Sequence, residues 1–62
     1  MSKFVDVYQI SANDHSLKVF KDVVTGEYGW FYETPFNLYD RYNQTYEKAM
    51  QKIESFKARF CK

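Results

Sequence analysis

Sixty-two residues leave room for one domain, spanning 1–62, whose small core buries only about 60% of the surface the unfolded chain exposes. A single cysteine, Cys61, excludes an internal disulfide, and one Cys with one His cannot supply the four ligands of a structural zinc. Nine basic against eight acidic residues give a net charge of +1, which excludes both a strongly basic tail and an acidic surface imitating DNA.

Without cross-links, a chain this short depends on dense packing or on association. The composition suits both. Six Phe, six Tyr and one Trp outweigh the aliphatic residues, and each ring can bury roughly 150–250 Å². Tyr hydroxyls favour the margin of a core, or an interface. The charge is unevenly spread: residues 1–43 carry four basic and six acidic side chains, whereas residues 44–62 carry five and two. No apolar run approaches the ~20 residues of a membrane span, and MSKFVDVYQ lacks the apolar stretch of a signal peptide. Together with the lone thiol this predicts a cytoplasmic protein.

The elements follow in order. Phe4 to Ser11 alternates as a first strand, and Ala12-Asn13-Asp14-His15 is a turn in which Asn and Asp tolerate the left-handed region. Leu17 to Asp22 is a second strand, and Val23-Val24-Thr25-Gly26 turns the chain into a third, Glu27 to Glu33. With Asn13-Asp14 central, Asp6 faces Lys21, Tyr8 faces Val19 and Ile10 faces Leu17. An even-length second turn places Val19 with Tyr28, Trp30 and Tyr32, and Phe20 with Phe31. Gly29 then leaves room for the ring of Phe20.

One face thus holds Phe4, Tyr8, Ile10, Leu17, Val19, Tyr28, Trp30 and Tyr32, with Trp30 expected at the centre of the core. The other holds Val5, Val7, Phe20 and Phe31, ringed by Gln9, Lys18, Asp22 and Glu33. Pro35 ends the third strand because it cannot donate to a ladder. Thr34 to Asn43 reads as a connector, whose rings Phe36, Tyr39 and Tyr42 can fold over the second face.

From about Gln44 to Cys61 the period becomes helical, with Tyr46, Ala49, Met50, Ile53, Phe56 and Phe60 on one stripe. Asn43 or Thr45 can cap its start. Lys48, Lys52, Ser55, Arg59 and Lys62 form a column expected opposite that stripe. The predicted fold is therefore α+β: a three-stranded antiparallel sheet, β-β-β-α, packed by one C-terminal amphipathic helix. VTGEYGWFY followed by EKAMQKI loosely resembles the N-terminal arm-binding domains of tyrosine recombinases over about half the chain. That likeness implies a three-stranded sheet with a C-terminal helix. It also implies a basic DNA-reading sheet, from which the acidic Asp22, Glu27 and Glu33 depart.

Chemistry is sparse. His15, Asp14, Ser11 and Ser16 are close in sequence, but a triad needs a buried acid and a cleft with oxyanion donors. Exposed turn residues are the expected reading. There is no phosphate-cradling glycine loop, and a thiol near a helix C-terminus is not activated. The expectation is a non-enzymatic module without cofactor, metal or small-molecule substrate. One helix covers about one face of such a sheet, so Val5, Val7, Phe20 and Phe31 are the expected surface for a protein partner or a second copy. The alternative is a nucleic-acid-binding module in which Lys48, Lys52, Arg59 and Lys62 take phosphates.

Overall fold

The computed structural model describes residues 3–60. Four strands form one antiparallel meander in the order β1-β2-β3-β4: β1 Phe4–Ala12, β2 His15–Asp22, β3 Tyr28–Glu33 and β4 Leu38–Gln44. A helix, α1 Tyr46–Phe60, then crosses one face. The class is α+β as expected, but the sheet has four strands rather than three. The segment read as a connector is largely β4. Its Asp40, Arg41 and Asn43 dilute the strand signal, and six of its seven residues are exposed, as suits an edge strand.

Each turn has a local cause. Asn13 and Asp14 take φ of 51° and 65°, the pair of left-handed residues that a two-residue hairpin requires. Residues 23–26 make a four-residue loop closed by Gly26 at φ 80°, whose N–H donates to the Asp22 carbonyl at 2.7 Å. The Asp22 carboxylate also accepts from the Val24 N–H at 2.9 Å. Between β3 and β4, the Thr34 hydroxyl oxygen accepts from the amides of Phe36 and Asn37. Thr45 caps α1, accepting from the Lys48 N–H at 3.2 Å.

The even-length register holds across β2 and β3, pairing Val19 with Trp30, Leu17 with Tyr32 and Phe20 with Gly29. Across β1 and β2, Tyr8 meets Val19 and Ile10 meets Leu17, but Asp6 meets Phe20 rather than Lys21. A bulge between Asp6 and Tyr8 supplies the extra residue, and it exchanges faces for everything before it. Val5 now pairs with Lys21 on the helix side, and Phe4 moves to the opposite, open face. There Asp6 meets Lys18 in an ion pair of 3.4 Å.

The core lies between the sheet and α1: Leu17 and Val19 are fully buried, with Ala49, Ile53 and Phe56 packed on them. Tyr8, Ile10, Trp30, Tyr32 and Met50 border it. Trp30 is therefore at the margin of the core, not its centre. The helix lies over β2 and β3 and leaves the β4 side of that face uncovered.

On the open face four rings cover one another. Phe20 packs edge-on against Phe4 at 5.1 Å, and lies 5.0 Å from Phe31 and 5.6 Å from Tyr42. Of the three connector rings, Tyr42 covers this face, Tyr39 points by register to the helix side, and Phe36 stands 90% exposed in its loop.

Candidate functional site

The uncovered strip between α1 and β4 is a groove. Its floor is Trp30 and Tyr32 from β3, and its β4 wall is Tyr39 and Arg41. The helix wall is Lys52, Ser55 and Arg59, with Phe56 and Phe60 beneath. The cavity here is about 340 Å³. A second, shallower hollow of about 330 Å³ continues it along Trp30, Lys52 and Ser55 to Gln44, Lys48 and Gln51. Lys48 and Arg59 are eleven residues apart on α1, so the whole groove runs about 16 Å.

Its position follows from the patterns of two elements. In β4, Tyr39 pairs with Tyr32 and Arg41 with Trp30, which brings a ring and a guanidinium to the helix side. Alternation past Arg41 places Tyr42 on the other face, and a bulge opposite Gly29, with Asn43 at φ 57°, returns Gln44 to the helix side. In α1, Lys48, Lys52 and Arg59 stand about 90° around the axis from the buried stripe of Ala49, Ile53 and Phe56. The basic column thus borders the sheet instead of standing opposite the stripe. Lys52 is only half exposed, and its Nζ sits 5.0 Å from the centroid of the Tyr32 ring.

Among the described residues, four cations, Arg41, Lys48, Lys52 and Arg59, line the groove, and no carboxylate does. Glu47 and Glu54 are exposed on the outward side of α1. The rings are held in place from behind. Nδ1 of His15 and the Tyr32 hydroxyl are 3.0 Å apart, in a hydrogen bond whose direction follows the imidazole tautomer. The His15 ring lies 4.8 Å from Phe60, and Tyr32 meets Phe56 edge-on at 5.9 Å. His15 is thus engaged by aromatic neighbours, while Ser11 and Ser16 pair with each other across β1 and β2.

Among the expected site residues, the structure brings Lys48, Lys52 and Arg59 to one groove; Lys62, like Cys61, lies outside the described residues. It separates the apolar set. Phe20 and Phe31 share the open face, but Phe20 is 4% exposed beneath Phe4 and Tyr42. Val7 belongs to the bulge and Val5 to the helix side, and both are about half exposed. The sequence reading missed Arg41 and Tyr39, whose signal was the alternation Leu38-Tyr39-Asp40-Arg41-Tyr42 inside the presumed connector. Among the described residues, no cluster of three His, Cys, Asp or Glu could hold a metal, and no helix is long and apolar enough to cross a membrane.

Comparison with protein-family models, curated proteins and solved structures found no match, so the likeness to the recombinase domains has no family match behind it.

Proposed function

We propose that the protein is a nucleic-acid-binding module whose phosphate contacts come from Arg41, Lys48, Lys52 and Arg59 in the groove beside α1. One observation carries the reading: among the described residues, four cations and five aromatic rings line one groove, to the exclusion of carboxylates. A cleft of one charge sign focuses its field on incoming anions even when the net charge of the molecule is only +1. Binding rather than catalysis is the role, since His15 is held by Tyr32 and Phe60 and serves to fix the floor. A reducing cytoplasm suits the lone Cys.

The test is the salt dependence of binding to a labelled random-sequence DNA, in single-stranded and duplex form, starting at about 20 mM salt. Four phosphate contacts predict log K falling with log salt at a slope of about −3 for a single strand. Lys52→Ala with Arg59→Ala should flatten that slope by about 1.4. Absence of binding to either form at low salt sinks the reading.

A second reading, self-association through the open face, is favoured by the exposure of Phe4 (50%), Leu38 (63%) and Tyr42 (44%) on that side. The patch is bordered by Asp40, Glu33 and the Asp6–Lys18 ion pair, as suits the polar rim of an interface. Sedimentation at micromolar concentration tests it. A dimer abolished by Phe4→Lys supports it, and a wild-type monomer removes it.

A further inference from the structure

We infer that the groove takes a single strand, seating bases against its rings, rather than the backbone of a duplex. This rests on the nucleic-acid reading above and names its ligand. The cations and the rings are parts of one concave site, not separate patches. Tyr39 and Arg41 rise from β4, Lys52 and Arg59 come from the helix, and Trp30 lies between them.

Shape argues against a duplex. The cavity of about 340 Å³ is at the lower end of small-ligand pockets. A duplex reaches into no such hollow; it offers phosphates on a convex surface and is read by an element that enters its own groove. The element available for that is the outward side of α1, and there Glu47 and Glu54 are exposed and would meet phosphates with like charge. A thin, flexible strand can lay its phosphates along the walls and turn its bases inward. The length of about 16 Å matches four or five stacked nucleotides at 3.4 Å each.

The rings are presented for stacking. Tyr39 is 55% exposed on an edge strand, and Trp30 is partly open in both hollows. Tyr32 is less free, because Lys52 already sits over it. Stacking on such rings tolerates any base, so the strand is held without a strong sequence preference. An acidic peptide would satisfy the cations and leave the rings without flat partners.

The experiment compares four ligands under one condition: an oligothymidylate, a duplex of equal length, an abasic deoxyribose-phosphate oligomer with the same number of phosphates, and polyglutamate. Trp30 is the only Trp in the chain and lines the groove, so its fluorescence reports occupancy directly, alongside anisotropy of a labelled strand. The strand should quench Trp30 and bind at least about tenfold more tightly than any of the other three. Tyr39→Ala should weaken the strand about tenfold and leave the abasic oligomer unchanged, with Tyr39→Phe restoring binding.

Equal affinity for the strand and the abasic oligomer means that the groove reads charge alone, and the inference falls while anion binding stands. A duplex that binds more tightly than the strand also overturns it, yet keeps the nucleic-acid reading. Polyglutamate binding as well as the strand overturns both, as does no binding by any of the four.

Discussion

The Phe20 ring occupies the place of a side chain on its cross-strand neighbour Gly29. A Cβ built on Gly29 would stand 2.6 Å from Phe20 Cζ and 2.5 Å from the Arg41 carbonyl oxygen. Neither atom can easily give way, since one belongs to a ring wedged among Phe4, Phe31 and Tyr42 and the other to the β4 backbone. Gly29→Ala should therefore cost about 2–3 kcal/mol in denaturant unfolding, as overpacking does. Phe20→Ala should cost about 3–5 kcal/mol by leaving a cavity. The two losses should not add, because removing the ring makes room for the methyl group. Additive losses in the double variant would show that the backbone carbonyl alone sets the constraint.

The Phe20–Gly29 relationship was legible in the sequence, because β-hairpin register is readable wherever turn residues and the period-2 pattern agree. Asn13-Asp14 and Gly26 fixed two turns, and the stripe from Ala49 to Phe60 fixed the helix. What could not be read were the two bulges. An extra residue before Tyr8 and another at Tyr42–Asn43 leave no mark in hydrophobic alternation, yet the first moves Phe4 to the open face and the second returns Gln44 to the helix side. The groove was hidden for the same reason. Its β4 wall lay in a segment whose charged residues mask a strand, so the helix cations had no visible counterpart.

The first hairpin carries a conformational cost that one substitution should relieve. Asp14 holds φ at 65°, where a side chain is disfavoured and glycine is not. Asp14→Gly should stabilise the fold by about 0.5 kcal/mol, after allowing for the greater freedom of glycine in the unfolded chain. Urea midpoints compared at unchanged slope will decide it. A loss of stability would mean that the Asp14 side chain contributes more than its backbone costs.

The start of α1 depends on a single hydroxyl. Thr45 Oγ1 accepts from the Lys48 amide at 3.2 Å, and no carboxylate stands at Lys48 to complete a capping box. Thr45→Ala should cost about 1 kcal/mol, and Thr45→Asp should restore it with help from the helix dipole. Amide exchange over residues 46–49 is the sensitive measure, since fraying begins where the cap is lost. Uniform exchange rates across the helix in Thr45→Ala would show that tertiary packing, not the cap, holds this end.

The centre of the core and the floor of the groove are distinct places, and substitutions should separate them. Leu17 is fully buried on β2, in one cluster with Val19, Ala49, Ile53 and Phe56. Trp30, the larger side chain, is only partly buried one strand away, with part of its ring open to the groove. Leu17→Ala should cost about 3–5 kcal/mol, most of the stability of a domain this size. Trp30→Ala removes more atoms, but beside an open groove where it leaves no closed cavity, and should cost about 2 kcal/mol. At about 4–8 °C per kcal/mol the two melting temperatures would differ by about 4 °C or more. Trp30→Phe should keep nearly all the stability while weakening the strand several-fold. Equal or greater loss of stability in Trp30→Ala than in Leu17→Ala would place the Trp at the heart of the core. The groove would then have to be redrawn without its floor.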